Sequence, residues 1–220
     1  LKGVQKERTI SDAFDQTTSG ESLVNMMDLD LLVGSGGVLS HAPRREQSAK
    51  MLIDAFMPEG ITQLAVDSIF MMPQLGVLAH VDKKEFSEDA RKAALEVFHK
   101  DCLIRLGTCI TPIGKAKPGD NILNAVMTFS DGTIKEQELI SGEIVRLKAP
   151  YEAIQAVLKP SKSMDIGGGK GQEIETNIFG GKVGLIFDGR DRPITIPTNQ
   201  EKRLESIRSW SDALNEYPKS

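Results

Sequence analysis

The residues most able to do chemistry stand between Leu31 and Arg45, in the stretch LLVGSGGVLSHAPRR. An apolar run enters the turn Gly34-Ser35-Gly36-Gly37, and a helix-like start follows it. A glycine turn between a buried strand and a helix presents backbone amides at its open end, where a phosphate or another anion can rest. Glycine serves that purpose in two ways. It accepts left-handed torsions, and it lacks the β-carbon that would hold a ligand off the main chain. The same turn also serves a strand-to-helix reversal with no ligand, so the glycines alone leave both readings open. Magnitudes limit the first reading: charge-assisted hydrogen bonds contribute about 1.5–3 kcal/mol each and a helix terminus about 0.3–2, whereas micromolar binding needs about 8. One such turn is half of a nucleotide site. His41 is close enough to touch a ligand there, or to make a hydrogen bond that merely fixes the start of a helix.

A second glycine cluster, Asp165-Ile166-Gly167-Gly168-Gly169-Lys170-Gly171, invites a phosphate-loop reading. It fails on its surroundings. No Ser or Thr follows Lys170, no clear strand leads in after Pro160-Ser161-Lys162-Ser163, and strand-like residues 173–179 follow where a helix is needed. A mobile connection that orders against a partner or a ligand fits it better. Asp67 closes a strand and either caps the next helix, the preferred reading, or faces a ligand at the carboxyl edge of a sheet. Glu136, Glu138, Glu143, Asp188 and Asp191 offer carboxylates, but nothing in their spacing sets two of them on one bond. Arg190 and Arg192 bracket a turn and read as a solvated tip. His80 and His99 stand apart from any pattern with metal-ligand spacing. Cys102 and Cys109 fall on opposite faces of one strand and read as free core thiols.

The elements that must position these residues fall into two halves. Up to about residue 100 the apolar spacing is mostly helical. Ser11 caps a first helix, residues 20–27 read as another turn or two, and residues 29–33 form a buried parallel strand. Residues 44–56 form a helix with Ala49, Leu52, Ile53 and Phe56 on one stripe, ended by Pro58-Glu59-Gly60. A strand over 63–66, a helix over 69–81 opened by Pro73, and a helix over 87–99 capped by Ser87 follow, the last burying Ala90, Ala93, Ala94, Val97 and Phe98. After Asp101 the period changes to two, which predicts an antiparallel β unit. Residues 121–129 and 133–139 flank the hairpin loop Ser130-Asp131-Gly132. Further strands are expected over 142–147, 153–158, 182–187 and 193–196, and then a helix with a Thr198/Glu201 capping box that buries Leu204, Ile207, Trp210 and Leu214.

Bulk properties narrow the function. With 220 residues and 40% apolar content the chain supports one large domain or two small ones. A net charge of −4 gives no basic excess for nucleic acid, and no apolar run is long enough to span a membrane. The start, Leu-Lys-Gly-Val-Gln, lacks the apolar block of a signal peptide, so a cytoplasmic location is expected.

Residues 31–43 resemble the adenosine-side motif of the ATPase superfamily shared by actin, sugar kinases and heat-shock chaperones. More narrowly, this stretch together with LAVDSIFMMPQLGVLA (64–79), RLGTCITPIG (105–114) and GGKVGLIFDGRDRPITIP (180–197) is similar to the MutL accessory proteins of adenosylcobalamin-dependent glutamate mutase. The resemblance implies a reactivating ATPase, related to diol dehydratase reactivases, that helps exchange damaged cobalamin out of the mutase. It places Gly36 and Gly37, within the Gly34 to Gly37 turn that includes Ser35, against the α-phosphate and ribose of ATP or ADP. Val38 to His41, with Ser40, would border the adenosine. The superfamily's Asp-x-Gly-Ser/Thr hairpin is absent, and Asp165-Ile166-Gly167-Gly168 echoes it in the wrong place. The expectation is therefore the C-terminal portion of a longer protein whose missing N-terminal lobe holds magnesium and the γ-phosphate. In α/β terms, residues 1–100 would be part of an actin-like C-terminal lobe, 101–197 an antiparallel β domain, and 198–220 a C-terminal helix. Expected partners are the mutase subunits and that missing lobe. Hydrolysis is expected of the whole protein and not of this portion alone. Two strands before residue 100 are too few for a stable sheet, so a strand edge is expected to be exposed or paired with another chain. A sugar or small-acid kinase of the same superfamily and a nucleotide-free interaction module are the alternatives.

Overall fold

The computed structural model describes residues 25–80 and 87–218. The Ser11 helix lies outside the described residues, and of the helix expected over 20–27 only a single 3-10 turn, Met26–Asp28, is described. In chain order come β1 (Leu31–Gly34), α1 (Gly37–Ser40), α2 (Arg45–Phe56), β2 (Gly60–Asp67), α3 (Met72–His80) and α4 (Glu88–Val97), with a π turn over Phe98–Cys102. Then follow β3 (Leu103–Thr111), β4 (Ile113–Gly114), β5 (Asn121–Thr128), β6 (Ile134–Ile140), β7 (Ile144–Leu147), β8 (Ala153–Pro160), β9 (Met164–Asp165), β10 (Ile174–Phe179), β11 (Gly184–Asp188) and α5 (Gln200–Leu214).

A mixed five-stranded sheet runs β1-β2-β3-β11-β7, parallel at β1/β2 and β3/β11 and antiparallel at β2/β3 and β11/β7. An antiparallel four-stranded sheet, β10-β8-β5-β6, covers one of its faces. The period of two in β11 shows how the layers are built. Leu185 and Phe187 point to the second sheet, into a core with Ile122, Leu123, Met127, Ile154 and Leu158. Ile186 points the other way, to Leu52 and Ile53 of α2 and to Trp210 and Leu214 of α5. The order is thus helices, mixed sheet, antiparallel sheet. Leu75, Ala94 and Cys102 form a third, small cluster where α3 and α4 meet the π turn.

Strands β2 and β3 pair over their whole length, so the mixed sheet crosses the boundary expected near residue 100. β1 is the edge strand and has no second neighbour among the described residues.

Several expectations need correction. Residues 193–196 form no strand, because Pro193 and Pro197 remove donors a ladder would use. The cap of α5 is Asn199, whose Oδ1 accepts from the Lys202 amide at 3.1 Å. Of the four residues expected on the buried face of α5, Trp210 and Leu214 dock, while Leu204 and Ile207 stay 45% and 41% exposed. The reason is that its C-terminal turn alone is fastened: Trp210 Nε1 donates to Gly142 O at 2.9 Å, and Arg146 Nη1 donates to Leu214 O at 2.7 Å. On α4, Ser87 caps as expected, but Ala93 and Val97 face solvent, and Ala94 and Phe98 make the contact with α3.

Candidate functional site

The turn after β1 is held from both sides. Gly34 is closely packed: a β-carbon there would stand 2.7 Å from Leu39 Cδ1 and 2.8 Å from Leu52 Cδ2, so those side chains would have to shift. Gly36 is required by its torsion, φ +123°. Gly37 is required by neither: a β-carbon there meets nothing within 4 Å. The amides of Gly36, Gly37 and Val38 donate to no described residue, and Val38 is 75% exposed. Phe70, at φ +64°, lays its ring edge 4.0 Å from where a Gly36 β-carbon would be, so it flanks the turn.

The helix expected directly after the turn is a single turn, α1, and His41 stands at its C-terminal end instead of at a helix start. Ser40 is buried, and its Oγ donates to Gly36 O at 2.9 Å. His41 Nδ1 lies 2.9 Å from Ser40 Oγ and 3.2 Å from Gly37 O. Arg45 Nη1 donates to Ser40 O at 2.9 Å, and Ser48 Oγ donates to Leu39 O at 2.8 Å, which ties α1 to α2. The structure thus gathers Gly34, Ser35, Gly36, Gly37, Val38, Ser40 and His41 into one tight turn. Within it the amides of Gly36, Gly37 and Val38 are left without a partner among the described residues.

Asp67 is fully buried at the end of β2. Its carboxylate accepts from the amides of Ile69, Met71 and Met72 at 3.4, 3.2 and 2.9 Å, so it fastens the loop into α3. Ser35 Oγ reaches it at 3.5 Å, a long contact that links this loop to the glycine turn.

The second glycine cluster is closed on itself. Asp165 Oδ1 accepts from the amides of Gly167 and Gly169 at 2.8 and 3.0 Å, so the loop already holds an anion of its own. His80 Nδ1 bonds its own helix at Gly76 O, and His99 packs edge-on against Phe98. No group of three or more His, Cys, Asp or Glu among the described residues is arranged to hold a metal ion. Both cysteines are free and buried. Burial, and then the charge of Asp188, push the Cys109 thiol up to about 12. Burial and the nearby Asp67 and Asp101 also raise Cys102.

Arg190 and Arg192 are not a solvated tip. Both are buried on Asp188, which closes β11 at zero exposure. Arg190 Nε and Nη2 donate to the two Asp188 oxygens at 2.8 Å each, its Nη1 donates to Asp54 Oδ1 at 2.8 Å, and its guanidinium lies 5.0 Å over the Trp210 ring. Arg192 Nη2 adds a third charged bond on Asp188, to its Oδ2 at 2.8 Å. Burial pulls the Asp188 carboxyl upward, but the hydrogen bonds and charges of the two arginines outweigh it and hold it below the ordinary range. Burial pulls the Arg190 guanidinium downward, but Asp188 and Asp54 outweigh it and hold it above its usual value. Lys50 also pairs with Asp54, and the cluster clamps α2, β11 and α5 together, with each of its arginines already bonded to a carboxylate. Its signal in the sequence is that an apolar strand, Gly184 to Phe187, carries an aspartate inward with arginines two and four residues on.

Residues 4–101 match the family model described as MutL protein. No curated protein and no solved structure matches the chain. No helix among the described residues is long and apolar enough to cross a membrane.

Proposed function

We propose, from the match of residues 4–101 to the MutL family model, that the chain belongs to an accessory protein serving a cobalamin-dependent glutamate mutase. In this reading its glycine turn faces the adenosine side of a bound ATP or ADP. The observation that carries the nucleotide is Gly37, a glycine that neither torsion nor packing requires, in a run of three amides with no partner among the described residues. A ligand lying against the main chain supplies the missing reason. Three charge-assisted hydrogen bonds at about 1.5–3 kcal/mol each make one wall of a nucleotide site. The opposite wall, with magnesium and the γ-phosphate, belongs to an N-terminal lobe of the actin-like kind. The edge of β1 that is unpaired among the described residues and the exposed Val38, Ile69 and Phe70 suit the face toward that lobe. Nucleotide state then biases two lobe arrangements, of which one grips the mutase subunits.

Titration calorimetry with ADP tests this on the chain and on a form of the protein carrying that lobe. The Gly37→Val side chain enters open space and should leave the melting temperature unchanged, yet it should weaken ADP binding by about tenfold or more by holding the phosphate off the amides. Unaltered affinity, or no heat of binding in either form, would favour an interaction module whose glycine turn is only a turn.

A further inference from the structure

A second feature shares no residue with the glycine turn. An open cleft of about 740 Å³ is lined by Lys92, Leu95, Glu96, His99 and Lys100 of α4 and the π turn, by Arg105 of β3, and by Tyr151 ahead of β8. It bridges the segment matched to the MutL family and the β-rich remainder.

We infer that this cleft docks an acidic peptide segment of a protein partner, through the uncommitted cations Lys92, Lys100 and Arg105 set opposite the exposed Tyr151 ring. None of these three cations forms an ion pair or a side-chain hydrogen bond with a described residue. Arg146, Arg190 and Arg192, by contrast, are all engaged. On a chain whose net charge is −4, three cations unpaired among the described residues, set against one lining carboxylate, Glu96, reverse the local sign. That reversal selects an anionic partner. Arg105 supplies a fork that matches a carboxylate, and the two lysines on the rim are point charges that tolerate a varied sequence.

The shape chooses a peptide over a small molecule. Small ligands sit in pockets that bury most of their surface, whereas this cleft lies open along a helix face. Lys92, Leu95 or Glu96, and His99 recur at helical spacing, which gives a wall about 10 Å long at 1.5 Å per residue, the length of about three extended residues. Leu95 and Tyr151 are exposed, and the Tyr151 ring is backed by Phe179 at 5.9 Å between centroids, so the walls also offer apolar contact to side chains between the acids.

The probe is a short fluorescein-labelled peptide of alternating Glu and Leu, followed by anisotropy on the full chain. Its Gln/Leu counterpart and a short oligothymidylate serve as controls. The Glu peptide should bind with an affinity that falls as salt rises. The double variant Lys100→Gln/Arg105→Gln should weaken it about tenfold, while Lys115→Gln/Lys117→Gln, which removes equal charge from an exposed loop elsewhere, should not. Carbodiimide coupling should join the peptide to Lys92 or Lys100. Absence of binding, equal binding of the Gln peptide, equal binding of the oligonucleotide, or coupling scattered over other lysines would each overturn the assignment.

Discussion

At the scale of single residues the most consequential group is Asp188, because its position makes the chain's stability depend on pH. Its folded carboxyl lies below the ordinary range. The unfolded chain therefore binds the proton first as pH falls. The stabilisation is complete above the unfolded value of about 3.9 and is lost as pH drops through the depressed folded value. Asp188→Asn keeps the shape but leaves Arg190 and Arg192 buried without their carboxylate. The expected cost is about 3–5 kcal/mol at neutral pH. Urea unfolding at a series of pH values checks both points: the variant should be less stable at pH 7 and should show a shallower loss of stability below about pH 4. Parallel curves for the two proteins would show that Asp188 does not carry the acid limb. The sequence displays this cluster openly, yet spacing alone suggests a solvated tip. Side-chain direction decides the matter, and only the apolar strand leading into Asp188 hints at it.

At the scale of elements, the mixed sheet depends on a glycine contact between β3 and β11. Gly107 sits at φ +140°, and a β-carbon there would come within 1.7 Å of Gly184 O, so the two backbones touch where a side chain would stand. Gly107→Ala must either separate the parallel pair or twist β3 out of register. A loss of about 3–5 kcal/mol is expected, at the upper end for single substitutions. Chemical unfolding of the variant measures it, and a cost under about 1 kcal/mol would mean that the ladder shifts freely. Element identity reads well from the chain wherever one physical signal dominates: the Ala49, Leu52, Ile53 stripe of α2, the Ser87 cap of α4, and the alternation of β5 and β6 around Asp131-Gly132 all recur in the structure. It reads poorly where two signals agree on a wrong answer. Leu204 and Ile207 have the spacing of a buried face, but α5 is fastened only at its far end, and no periodicity reports where a fastening lies.

At the scale of the molecule, the change of period near residue 100 suggests two halves, whereas the hydrogen bonding joins them. β2, from the segment matched to the MutL family, lies between β1 and β3, and β3 in turn carries β11 and β7 from the far end of the chain. A contrast in periodicity marks a change of layer type, and it does not report which strands become neighbours. This arrangement also sets how the candidate turn is held. The glycine turn leaves the edge strand β1, and β1 is placed by β2, so its geometry depends on the ladder that residues 103–111 provide. Severing the chain after Asp101 would bare one whole side of β2 and one whole side of β3, and would open the core that Leu64 and Val66 share with Cys109 and Ile186. The expected outcome is that residues 1–101 and 102–220, expressed apart, each lack a cooperative unfolding transition by circular dichroism and are cut rapidly by protease, while the intact chain unfolds in a single step. Mixing the two pieces should restore protection, because the missing ladder is then resupplied by the partner piece. Independent, cooperative unfolding of residues 102–220 would instead establish a self-sufficient β domain, with the β2/β3 ladder a contact between two folded units.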